Sequence, residues 1–115
     1  MKLRLNFKYL LRQFRKEKII VPISAATIKV AQDYLKDARD QARAAQEALL
    51  AGDFETLKNI GDSMKGNGGS FGFDLITKYG QTLGDAAKAQ EATAIETTIH
   101  ALSDYLDRVK VVLKT

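Results

Sequence analysis

The chain has 115 residues, 45% of them hydrophobic and 28% charged, which suits one compact globular domain with a buried core. It holds no cysteine and one histidine, so disulfides, thiolate metal sites and His-rich metal sites are excluded. No apolar run approaches the length of a membrane span, and the basic N-terminus lacks the apolar stretch of a secretory signal, so the expected location is the cytoplasm.

The net charge of +4 is unevenly placed. Residues 1–20 carry seven Lys and Arg (Lys2, Arg4, Lys8, Arg12, Arg15, Lys16 and Lys18) against Glu17 alone. The rest of the chain is therefore net negative, and the high pI belongs to the N-terminal arm. Within the arm, Leu3, Leu5, Phe7 and Tyr9 alternate with polar residues as in a strand. Leu3, Phe7, Leu10, Leu11 and Phe14 also fit an amphipathic helix with a basic opposite face. Helix is the favoured reading, because a lone strand in a helical chain has nothing to pair with. A solvated basic face is the ordinary outcome; contact with an anionic partner is the sharper one. No nucleic-acid motif accompanies it.

Pro22, in Ile19-Ile-Val-Pro-Ile, biases Val21 towards an extended conformation and marks a break, after which Ser24 is a good helix N-cap. A first helix is expected over residues 25–51. Ile28, Ala31, Leu35, Ala38, Ala42, Ala45 and Leu49 repeat at alternating spacings of three and four, which is a bundle seam. Gly52 ends it and Asp53 caps a second helix starting at Phe54, so these two helices should pack antiparallel. A third helix starts near Asp74, with Ile76, Tyr79, Leu83 and Ala86 or Ala87 facing inward. Gly80 and Gly84 leave a smooth strip on it for another helix. A fourth spans about residues 92–113, with Ile95, Ile99, Leu102, Leu106, Val109 and Leu113 as its seam. The link at Gln90-Glu91 carries neither glycine nor proline. The fold expected from periodicity is all-α: an antiparallel four-helix bundle over residues 21–115, with an extra basic helix or arm over 1–20.

The stretch from Ile60 to Phe73 departs from ordinary helix composition. Gly61, Gly66, Gly68, Gly69 and Gly72 fall within it, and a helix-interior glycine costs about 1 kcal/mol relative to alanine. Either the helix ends here or something must approach the backbone closely. Continued as a helix, the stretch puts Leu57, Ile60, Met64 and Phe71 on a core face. Asp62, Lys65 and Gly69 then share an outer stripe, with Asp62 close enough to pair with Lys65.

These residues resemble the histidine-phosphotransfer (HPt) domains of bacterial two-component signalling. That family carries His-x-Leu/Met-Lys-Gly-x-Gly/Ala-x-x-x-Gly. Here the run reads Asp62-Ser-Met64-Lys65-Gly66-Asn-Gly68-Gly69-Ser-Phe71-Gly72-Phe73, flanked by Ala51-Gly-Asp-Phe54 and by Gly80-Gln-Thr-Leu83. The resemblance extends from about Val21 to Leu113 and implies the same four-helix bundle. It implies a phosphorelay role through docking of response-regulator receiver domains or a hybrid histidine kinase. Lys65 would lie near the phosphate, and Gly66 and Gly69 would allow close approach. No cofactor or resident metal is implied. One position departs from the pattern: Asp62 stands where the family has its phosphate-accepting histidine. The resemblance then implies either a domain that binds receivers without accepting phosphate or an inactivated variant of an active phosphotransfer protein. A third reading, from a different class, is a helical adaptor that binds through Arg12, Arg15 and Lys16 of the arm. His100 follows the core position Ile99 and has no Lys-Gly after it, so it reads as an ordinary surface residue. No nucleophile–base pair, phosphate loop or metal-ligand spacing supports an enzyme.

Overall fold

The structure, a computed structural model, describes residues 17–115. The basic residues singled out in the arm, except Lys18, and the helix expected there therefore lie outside the described residues. Four helices follow one another: α1 (Ile28–Leu50), α2 (Phe54–Asn67), α3 (Asp74–Lys88) and α4 (Ala92–Arg108), with a 3-10 turn at Gly69–Phe71 between α2 and α3. The four-helix bundle read from the seams is the observed fold. Ala31, Leu35, Ala38, Ala42 and Ala45 of α1 are buried, as are Ile95, Ile99, Leu102 and Leu106 of α4.

The core falls into two layers. One gathers Leu35, Ala38, Met64, Phe73, Ile76, Leu102 and Tyr105. The other gathers Ala45, Ala48, Leu57, Leu83, Ala87, Ile95 and Ile99. Alanine dominates the α1 side of the second layer, which lets the partner helices come close there.

All three links between helices use one device. In each, a left-handed residue follows the helical turn and two amides reach back to its last carbonyls. Gly52 has φ +67 and Gly72 has φ +96; at the third link Gln90 takes φ +55. There Glu91 N–H donates to Ala86 C=O at 3.0 Å and Gln90 N–H to Ala87 C=O at 3.1 Å. The Gln90 link thus terminates α3 as a glycine would, without one. Asp53 caps α2 as expected, accepting from Thr56 N–H at 3.0 Å and from the Thr56 hydroxyl at 2.6 Å. These bonds hold the Asp53 carboxyl below the usual carboxylate range.

Two expectations change at the ends of the bundle. Helix α1 begins at Ile28 rather than at residue 25, with Thr27 at the N-cap position and Ser24 in the preceding turn. The last helix stops at Arg108, and residues 109–113 leave it as a strand. That strand, β2 (Val109–Leu113), pairs in parallel with β1 (Ile19–Ile23), with Ile19 opposite Val109 and Ile23 opposite Leu113. The all-α bundle thus carries a two-stranded sheet. Both segments are rich in Val and Ile, which favour extended backbone. Four antiparallel helices return the chain to its starting end, so the segment before α1 meets the segment after α4. Val109 is buried and Ile23 is at the edge of burial, which seals that end of the core. Arg39 of α1 ties the same end by donating to Leu106 C=O at 3.1 Å. The argument that a strand near residue 20 would find no partner therefore fails for Ile19 and Ile20.

The tightest packing lies between α2 and α3. A Cβ added at Gly61 would sit 2.5 Å from Gly84 N, and one at Gly80 would sit 2.5 Å from Lys65 N. Gly80 and Gly84 are thus packing residues, and Gly61 is their counterpart across the crossing.

Two stability predictions follow from the links and the crossing. Gly80→Ala should cost about 2 kcal/mol or more, because the new methyl meets backbone that cannot step aside. Gln90→Gly should add about 1 kcal/mol by relieving the left-handed conformation of a residue with a Cβ. Denaturant unfolding monitored by circular dichroism reads both.

Candidate functional site

Asp62 follows Gly61, so its side chain emerges beside the α2–α3 crossing. Its carboxylate lies over Gly84, where an added Cβ would be 3.0 Å from Asp62 Oδ1. Lys58, one turn earlier on α2, donates to Asp62 Oδ2 at 3.0 Å. Asp62 therefore pairs with Lys58 and not with Lys65, as the outer-stripe reading had it. The Lys58 hydrogen bond holds the Asp62 carboxyl below the usual carboxylate range, helped by the charges of Lys58, Lys88 and Lys65, with partial burial opposing. The sign is that of a depressed acid: the pairing is present above the ordinary Asp value and is lost as pH falls through the lowered one. At neutral pH Asp62 is a carboxylate paired with Lys58 and within electrostatic reach of Lys65 and Lys88.

Lys65 and Gly66 are exposed on the last turns of α2, and Gly69 is exposed in the 3-10 turn beyond. Helix α2 ends at Asn67, so Gly69 does not continue its stripe. Instead the Gly69 amide donates to the Thr77 hydroxyl at 2.8 Å, which fastens the turn to α3. On its other side the turn is held by aromatic stacking, with Phe71 on Tyr34 of α1 at 4.5 Å between ring centres. The buried Phe73 ring follows at 6.0 Å from Tyr34. The turn is thus clamped between α1 and α3.

Six of the eight glycines have a reason inside the fold. A Cβ at Gly61, Gly68 or Gly80 would come within 3.0 Å of neighbouring backbone, and one at Gly84 would meet the Asp62 carboxylate. Gly52 and Gly72 have positive φ. The other two are Gly66 and Gly69. A Cβ on Gly66 would meet nothing within 4 Å, and one on Gly69 would make ordinary contacts at 3.4 and 3.6 Å. Packing requires neither.

Sequence reasoning missed Lys58 and Lys88. Lys58 was legible as a partner of Asp62 at i, i+4. Lys88 was not, because it reaches the site only through the antiparallel crossing of α3 on α2. His100 is exposed on α4, beside Arg39, Arg43 and Ser103 in a groove of about 290 Å³ between α1 and α4. Among the described residues no three His, Cys, Asp or Glu side chains come together as a metal site would need. Among them, too, no helix is long and apolar enough to cross a membrane.

A family model described as Hpt domain matches residues 29–111. The comparisons with curated proteins and with solved structures gave no match.

Gly66→Ala should raise stability by about 0.5–1 kcal/mol, since open space receives the methyl and alanine favours helix. A fall in the unfolding midpoint would show a packing role for Gly66.

Proposed function

The chain belongs to the Hpt domain family, and from that premise we propose that it is a phosphorelay module that docks receiver domains without accepting a phosphoryl group. Hpt domains interact with receiver domains of response regulators and kinases, which ties this chain to two-component signalling. In the proposed alignment Asp62 takes the place of the phosphoacceptor histidine, Lys65 lies near the phosphate, and Gly66 and Gly69 form the approach surface. Such a role would place the protein in the cytoplasm with its receivers.

The observation that carries this reading is the pair of exposed glycines that the fold does not need. Gly66 sits in a helix, where glycine is unfavourable, and is exposed, with open space around an added Cβ. Its bareness makes sense if a second protein must come close to the backbone. Phosphoryl transfer relies mainly on positioning and charge stabilisation, so a docking surface can outlast its nucleophile.

Asp62 is a poor replacement acceptor. An aspartate becomes phosphorylated with a divalent metal held nearby by other carboxylates. The groups that act on Asp62 are Lys58, Lys65 and Lys88, whose charges repel such a metal. Nor does a single carboxylate match a phosphorylated histidine in charge or reach.

Gly66→Arg and Gly69→Arg test this reading. Each should weaken binding to a receiver domain by at least about tenfold, since bulk and charge enter the centre of the interface. Helical circular dichroism should be unchanged, since both positions are exposed. Full binding by both folded variants would place the docking surface elsewhere, with the basic arm the next region to examine.

A further inference from the structure

The lysines around Asp62 point beyond docking itself. Lys58 and Asp62 neutralise each other at 3.0 Å. Lys65 and Lys88 then have no ion-pair partner among the described residues, although both act on the Asp62 carboxylate through space. They reach it from different helices. Lys65 lies one turn after Asp62 on α2. Lys88 lies one turn after Gly84, the residue on α3 over which the Asp62 carboxylate rests. A favourable position in the last turn of each helix accounts for either lysine alone. It does not account for their convergence on one exposed carboxylate that a third lysine already satisfies. The cluster holds three cations and one anion, so it presents excess positive charge around the position aligned with the phosphoacceptor.

We propose that this surface selects receivers whose aspartate is already phosphorylated, with Lys65 and Lys88 binding the phosphoryl oxygens and Lys58 keeping Asp62 neutralised. The proposal rests on the docking reading above and specifies which state of the partner is bound. An aspartyl phosphate exchanges a single carboxylate charge for a more negative group with three strong acceptor oxygens. An uncompensated Asp62 would repel it, so the Lys58 pair is needed for the cluster to attract. No bond forms or breaks in this step. The phosphoryl group stays on the receiver and is held as an ion between two ammonium groups. The protein thus reads the phosphorylated state without discharging it.

The test uses the full chain and purified receiver domains from its source organism, each with magnesium alone and with magnesium plus beryllium fluoride, a stable mimic of aspartyl phosphate. Isothermal titration measures the affinity in both states. At least one receiver should bind about tenfold more tightly in the beryllofluoride form, the scale expected of two partly exposed charge contacts. The double variant Lys65→Ala/Lys88→Ala should bring the ratio of the two affinities to about one, whatever its effect on the magnesium-only affinity. Lys58→Ala, which frees the Asp62 charge, should also lower the ratio. Raising ionic strength should shrink the preference. Equal binding of both states, tighter binding of the unmodified receiver, or a preference that survives the double variant would overturn the inference and leave docking intact. Binding to no receiver in either state would overturn the docking reading and this inference with it.

Discussion

The close crossing of α2 on α3 is the constraint on which the rest of the site depends. Gly61 and Gly80 remove side chains from both helices where the backbones meet, with an added Cβ at either only 2.5 Å from the other helix. That contact fixes where the next residue, Asp62, leaves α2, and Gly84 provides the bare patch on which its carboxylate rests. It also brings Lys88 of α3 within electrostatic reach of a carboxylate 26 positions earlier in the chain. The turn that follows α2 is then held from two sides, by the Thr77 hydroxyl on α3 and the Tyr34 ring on α1. A rigid scaffold thus presents a small exposed surface, the arrangement that recognition by a second folded protein requires.

Much of the fold was legible in the sequence because a helix declares its buried face every three or four residues. Most of the two seams is buried in the structure, with Ile28 and Leu49 half-buried and Leu113 exposed on the strand, and Gly52 and Asp53 mark the first link by their backbone and capping chemistry. The strands were not legible as a pair. Each is five residues long, one was hidden at the end of a continuing helical pattern, and their partnership joins opposite ends of the domain. Val109 and Leu113 keep a spacing of four that helix and strand both tolerate. The Gln90 link was obscure for another reason: its left-handed conformation is imposed by the helices on either side and not by a residue that prefers it.

The candidate site divides in the same way. Asp62, Lys65, Gly66 and Gly69 lie close together in sequence, so their motif could be read. The charge partners could not all be read, because Asp62 chose between lysines on either side of it and Lys88 arrives through tertiary structure. The glycines carry the more general lesson. The composition of residues 60–73 shows only that glycine is concentrated there. The structure separates helix packing at Gly61 and Gly68 and turn geometry at Gly72 from the exposed pair Gly66 and Gly69, which packing does not require.

We propose that a surface for receivers persists here around a position that does not accept phosphate. The most direct measurement mixes the native protein and its Asp62→His variant separately with receiver domains phosphorylated with a labelled phosphoryl group. The account predicts that label passes to the variant and not to the native protein. Label on native Asp62 would contradict the loss of acceptor function, and label on neither protein would contradict the persistence of the surface.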